Sequence, residues 1–191
     1  TNQWVYPIKE GGCRFDIVML VNGIPLVIGE VKAPSRPAVT WVDGASDIHN
    51  GYELSVPQMF VPNVFSFATE GKCYRYGSVR MPIGLWGPWY EGDNKAEGTL
   101  TDVQRSILSM LRPYIVLDIL QNFTLFATDK KHRLIKIISR YQQYEGANLI
   151  VARVVKGFPK KGLIWHFQGS GKSLLMVFAA QKLRMHRNLG N

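Results

Sequence analysis

The chain has 191 residues, 46% of them hydrophobic and 12% aromatic, which supports a packed core and argues against whole-chain disorder. Its formal net charge of +9 and pI near 9.7 favour polyanionic partners such as nucleic acid or an acidic membrane surface, though a solubility role accounts for such a balance too. No apolar run approaches the length of a membrane span, and no secretory signal opens the chain.

The first third reads as strands. Arg14 to Leu20 and Ile24 to Lys32 are rich in Val, Ile, Leu and Met, with Asn22-Gly23 between them as a hairpin signal. Pro34 and Pro37 end the second strand. Residues 38–62 are mixed and turn-rich. A second hairpin is predicted from Val64 to Tyr76, turning at Glu70-Gly71. Residues 82–99 carry many Gly and Pro with Trp86 and Trp89, and read as a linker that docks on something. From Thr101 the pattern turns helical, with Thr101 and Asp102 as N-cap candidates and helices over roughly 101–112 and 114–122. A further helix is predicted from His132 to Val155, with a break near Gly146. Gly162 to His166 reads as a buried strand, and Leu174 to Leu183 as a helix. Cys13 and Cys73 lack metal-ligand spacing and read as structural or incidental thiols of a reduced compartment, a disulfide between them remaining open. The start at Thr1, without Met, suggests processing or a piece of a longer chain.

Two patterns carry chemistry. The first is Asp16 on one strand with Glu30 and Lys32 on the next. Two carboxylates suit Mg²⁺, which polarises a phosphodiester and lowers the pKa of a bound water, and a lysine beside them stabilises developing negative charge. Glu30 and Lys32 are two apart, so a strand puts them on one face. Asp16 joins that face only if the hairpin register is shifted. A two-residue turn at Asn22-Gly23 sends Asp16 and Glu30 to opposite faces, whereas a three-residue loop, Val21-Asn22-Gly23, or a bulge at Gly29 brings them together. An odd loop or a bulge is therefore predicted. The competing reading is that these charges merely protect an edge strand. Against it, they sit in apolar strands, where an unpaired charge is costly.

The second pattern is Gln168-Gly-Ser-Gly-Lys172-Ser173 at the mouth of a helix. Gly169, Ser170 and Gly171 present backbone N–H groups to phosphates, Lys172 reaches the β- and γ-phosphates of ATP, and Ser173 ligates Mg²⁺. Only residues 174–191 follow, which leaves room for no more than the opening of a nucleotide-driven motor. Lys72, Tyr74, Arg75, Tyr76 and Arg80 interleave aromatic and basic types, either as a DNA-tracking face or as a strand with core rings and solvated charges. The alternation favours the latter.

Together the two patterns resemble the restriction (R, motor) subunit of type I restriction–modification enzymes. The resemblance rests on Phe15-Asp-Ile-Val-Met-Leu-Val-Asn-Gly-Ile-Pro-Leu-Val-Ile-Gly-Glu-Val-Lys-Ala-Pro34, on Phe67-Ala-Thr-Glu-Gly, on Arg140-Tyr-Gln-Gln-Tyr-Glu and on Ile164-Trp-His-Phe-Gln-Gly-Ser-Gly-Lys-Ser173. It implies an α/β chain with a PD-(D/E)xK-type nuclease core, a mixed sheet flanked by helices. The first strand–P-loop–helix of a RecA-like superfamily 2 motor follows. The boundary is placed near residue 128, with an N-terminally incomplete endonuclease domain and helical linker over 1–128 and the start of the motor over 129–191.

The resemblance also implies Mg²⁺- and ATP-dependent cleavage of double-stranded DNA in a prokaryotic cytoplasm, with modification and specificity subunits as partners and no membrane. Asp16, Glu30 and Lys32 match its catalytic triad, with Asp16 and Glu30 as metal ligands. Gln143 matches a glutamine that reads adenine, its other reading being an exposed helix residue. The family's nuclease often carries Gln four residues before a Tyr; here Ile48 stands at that spacing from Tyr52, so that element is shifted or absent. His49 and Tyr52 are candidates for DNA or phosphate contact, or for ordinary packing. His166 replaces the usual Gly or Ala that opens the phosphate motif, and the second motor motif lies outside the chain. The alternatives are a stand-alone or repair nuclease, a non-catalytic DNA-docking module and a nucleotide sensor.

Overall fold

The computed structural model describes residues 1–7, 12–36, 38–92, 95–187 and 189. Strands β1 (Asn2–Pro7), β2 (Gly12–Val21), β3 (Ile24–Val31), β4 (Phe65–Thr69) and β5 (Tyr74–Gly77) form one sheet in that order. Neighbours are antiparallel except β3 and β4, which run parallel. The architecture is thus mixed α/β. Both predicted hairpins are present, and β1 joins them as a strand that the alternation of apolar residues does not mark. Pro34 follows β3, while Pro37 lies outside the described residues.

A parallel pair needs a crossover. Here it consists of α1 (Trp41–Ser46), a π-helical turn (Asp47–Tyr52), the one-turn α2 (Glu53–Ser55) and a 3-10 turn (Pro57–Phe60). None of these is long enough to show a helical period, so the sequence reads only as turn-rich. Thr40 and Asp43 start α1 as a capping box. The crossover covers one face of the sheet, where Phe15, Val18 and Ile28 meet Ala45, Ile48 and Phe60. The other face, with Phe65, Phe67, Tyr74 and Tyr76, enters a core cluster shared with α3 (Leu100–Met110), α4 (Pro113–Asn122), α5 (Tyr141–Lys156) and α6 (Lys172–Arg184). Trp86 and Trp89 are buried, so the linker does dock. Tyr74 and Tyr76 are core, and Arg75 is held by Glu97 rather than solvated (Nη1 to Oε1, 2.6 Å).

Three predictions need correcting. The helix at the linker's end begins at Leu100, capped by Thr99 with Asp102 as its box partner, so neither Thr101 nor Asp102 is the cap. The helix predicted from His132 does not form there: β6 (Thr124–Thr128) and β7 (Leu134–Ile138) make a separate hairpin, as its isoleucines prefer. The following α5 then runs unbroken through Gly146. That glycine admits α6, since a Cβ there would lie 2.7 Å from Leu175 Cδ1. Lastly, the strand expected at Gly162 to His166 is irregular chain. Leu163 is 88% and Trp165 86% exposed. A strand must pair its backbone groups, and no described strand lies beside this one.

The boundary expected near residue 128 falls at the end of β6, and a single core runs across it from Tyr74 to Phe178. Polar bonds fasten the β6–β7 hairpin to the large sheet. Tyr76 Oη donates to Ser139 O (2.8 Å), Ser78 Oγ to Lys136 O (2.7 Å) and Lys136 Nζ to Asn63 O. Burial pulls the Lys136 ammonium from its ordinary 10.5 down to about 8. Between those values the unfolded chain holds a proton that the folded chain has released, so stability rises with pH across that window. Below pH ~8 both states are protonated and the penalty of burying the charge is fully present. Urea titrations of wild type and Lys136→Met measure this: wild type gains on the variant as pH rises from about 8 to 10.5, and a constant difference would contradict it.

Candidate functional site

Asn22 and Gly23 both take positive φ (50° and 80°) and form a two-residue turn, with Val21 opposite Ile24 and Leu20 opposite Pro25. The next pair is Met19 with Val27, which leaves Leu26 as an extra residue on β3. The predicted bulge therefore exists, at Leu26 rather than Gly29, and the loop is not the three-residue one. Pro25 has no N–H to lose, which makes the ladder cheap to break beside it. Past the bulge, Val18 opposes Ile28 and Ile17 opposes Gly29. The paired register ends at Ile17 with Gly29, one residue short of Asp16 and Glu30, and the Asp16 charge lies near enough to act on the Glu30 carboxyl.

The backbone around the pair is specialised. Cys13, Phe15 and Val18 enter one core cluster while Ile17, Met19 and Val21 pack on the other, so the two-residue alternation slips by one at Asp16. Gly29 makes room for Phe67 on the neighbouring strand, because a Cβ would stand 2.2 Å from its ring. Gly44 lets α1 settle on Glu30, with a Cβ there 3.3 Å from Glu30 Cγ.

Glu30 is 5% exposed. Its Oε1 accepts from Lys32 Nζ (2.9 Å) and its Oε2 from the Tyr52 hydroxyl (3.2 Å). Asp16 Oδ2 accepts the Val31 N–H at 3.0 Å. Lys32 also donates to Asp47 on the π turn. Burial pushes the Glu30 carboxyl above the usual range, the bond from Lys32 opposes this, and the Asp16 charge adds to it. For Lys32 burial acts downward, yet its bonds to Asp47 and Glu30 prevail and raise it. Tyr52 is raised by burial and then by Glu30, so it stays a phenol that donates. Asp16, Glu30 and Lys32 thus come together as predicted from sequence, Tyr52 joins them, and His49 instead faces Asn50 (2.9 Å). Asp47 has no place in the predicted set. The signal for it is an acid five residues before Tyr52, a spacing that shares a face only in a π turn. Among the described residues no three His, Cys, Asp or Glu side chains gather into a metal cluster.

The glycine-rich loop lies at the start of α6. Gly169 and Gly171 take φ of 81° and 82°. Lys172 and Ser173 are exposed in the first turn of α6. Lys172 Nζ bends back to the carbonyls of His166 (3.1 Å) and Phe167 (2.9 Å). Gln143 is buried, against the exposed-helix reading. Its Nε2 donates to the carbonyls of Ser170 (3.3 Å) and Gly171 (3.1 Å), and its Oε1 accepts the Arg140 N–H (2.9 Å). Ser170 is buried behind the loop. Cys13 and Cys73 are free thiols. No helix among the described residues is long and apolar enough to cross a membrane.

Two family models match separate parts of the chain. Residues 1–82 match the family model of the type I restriction enzyme R protein N terminus, and residues 142–191 match that of the SWI2/SNF2 ATPase. The whole chain aligns, at 33% identity over 200 residues, with 19% of the type I restriction enzyme HindI endonuclease subunit of Haemophilus influenzae. A protein of Methanocaldococcus jannaschii, provisionally named a type I restriction enzyme endonuclease subunit, is 30% identical over 87% of this chain and 16% of its own length. A Staphylococcus aureus type I restriction enzyme endonuclease subunit is 24% identical over 89% of the chain and 18% of its own. The chain therefore spans about a fifth of these relatives.

Proposed function

This chain belongs to the type I restriction enzyme R-protein family, and from that premise we propose that it forms the nuclease site and the opening of the ATP-driven motor of a DNA-cleaving subunit. The observation that carries the reading is that the buried Glu30 bonds Lys32 and feels the charge of Asp16, whose carboxylate is held by the Val31 N–H one residue beyond Glu30. The nuclease core is of the PD-(D/E)xK type over residues 1–128, and the RecA-like motor begins over 129–191.

The donor set fits a hard divalent cation. Mg²⁺ favours one or two carboxylates, with its other positions left to water and phosphate. Asp16 and Glu30 supply those two, and the raised Glu30 carboxyl marks a place where added positive charge is favourable. Bound there, Mg²⁺ would polarise the scissile phosphodiester and acidify a water. The chain's own groups do the rest. Val31 N–H fixes one Asp16 oxygen, and the Tyr52 hydroxyl fixes Glu30. Lys32 sets a positive charge where the phosphate gains negative charge.

At the second site, Gly169 and Gly171 take the left-handed φ that a tight phosphate-type loop needs, and the N-terminus of α6 favours an anion. Lys172 must leave its own loop carbonyls to reach a triphosphate, and Ser173 is exposed to share its cation. Gln143 supports the loop from behind. Its Oε1 keeps a second lone pair for an adenine amino group. Double-stranded DNA is the substrate, modification and specificity subunits are the partners, and the setting is a prokaryotic cytoplasm. The test is to separate the two activities by substitution in the full-length subunit: cleavage must fall alone with Asp16 and Glu30, and nucleotide hydrolysis with Lys172.

A further inference from the structure

We propose that Asp47 is a positioning residue that keeps Lys32 at the nuclease site when Glu30 takes a cation, and that the π turn exists to put it there. The inference rests on the nuclease reading above. In an α-helix, residues five apart point about 140° away from each other. In a π turn, five residues close roughly one turn and face the same way. Residues Asp47–Tyr52 form such a turn, closed by the Glu53 N–H on Ile48 O, five residues back. Its two ends reach the same pair: Asp47 bonds Lys32, and Tyr52 bonds Glu30. Ile48, at the ordinary α spacing from Tyr52, points instead into the core and is fully buried.

Glu30 has two uses that conflict. It accepts the Lys32 ammonium on Oε1, and on the nuclease reading it also gives an oxygen to a divalent cation. The cation repels the ammonium and takes its acceptor. Lys32 then stays only if another anion holds it. Asp47 is that anion: it bonds Lys32 already, its side chain is 47% exposed, and it belongs to no three-ligand cluster with Asp16 and Glu30. Asp43 also feels the Lys32 charge, but its carboxylate is committed to the Thr40 cap. Without Asp47, the lysine rests on Glu30 alone and competes with the cation for it.

The experiment is Mn²⁺ titration calorimetry on the full-length subunit, as wild type, Asp47→Asn, Lys32→Ala and the double variant. Asp47→Asn is expected to weaken Mn²⁺ about five- to thirtyfold in the wild-type background and less than about twofold in the Lys32→Ala background, the coupling typical of contacting charged groups. Equal weakening in both backgrounds would make Asp47 a ligand or a structural residue and overturn the proposal. No weakening in either would overturn it too. Glu30→Ala serves as the separate control. If wild type binds Mn²⁺ no better than Glu30→Ala, the nuclease reading itself falls, and this inference with it.

Discussion

Asp16→Ala and Glu30→Ala, each placed in the full-length subunit with its partner subunits, are expected to lower cleavage of supercoiled DNA by about 100-fold or more while ATP hydrolysis stays within about twofold. The size follows from the donor set. The two carboxylates come from adjacent strands and no third gathers with them among the described residues, so losing either leaves a cation with one protein anchor. Glu30 is also the acceptor for both Lys32 and Tyr52, so its loss frees the Tyr52 hydroxyl and leaves Lys32 on Asp47 alone. The effect is not one of folding. Removing Glu30 takes away a buried carboxyl that burial already disfavours, and Lys32 keeps Asp47. Thermal melts of the variants should lie close to wild type. Plasmid nicking and ATPase rates measured side by side check the separation, and equal cleavage in all three proteins would remove the nuclease assignment.

Lys172→Ala is expected to act on the opposite activity. Nucleotide hydrolysis should fall by about 100-fold or more, because the ammonium that would meet the β- and γ-phosphates is gone. DNA cleavage that depends on translocation should fall with it. The Asp16–Glu30 site should still bind Mn²⁺ as in wild type. Stability should hardly change, since Lys172 is exposed and its bonds reach only carbonyls of its own loop. ATP hydrolysis and Mn²⁺ calorimetry on the one variant separate these effects. Full hydrolysis in Lys172→Ala would mean that the glycine loop does not hold the nucleotide.

Much of the site was legible because it rests on local rules. Asn22-Gly23 marks a hairpin, Glu30 and Lys32 alternate onto one face, and the demand that Asp16 join them forces a register shift. The position of the shift was not legible, since Gly29 looks like a bulge glycine but serves as clearance for Phe67. That need arises only when β4 pairs in parallel beside β3. Asp47 was hidden for a similar reason. Its partnership with Tyr52 appears at a spacing of five, and nothing in the run of types announces a π turn. The β6–β7 hairpin was misread because apolar residues near 134–138 fit helix and strand alike, and its docking on Asn63 and Ser78 decides between them. Gln143 was ambiguous on the helix surface, and only the approach of the loop to α5 buries it.

The most direct measurement is the anomalous diffraction of a crystal of the full-length subunit soaked in Mn²⁺. The account predicts a peak between the Asp16 and Glu30 carboxylates, with the Lys32 ammonium beside it and bonded to Asp47. A Mn²⁺-free hairpin in crystals whose phosphate loop takes up Mn²⁺ with nucleotide would contradict it. It would leave the hairpin a structural element and the chain's chemistry with the loop alone.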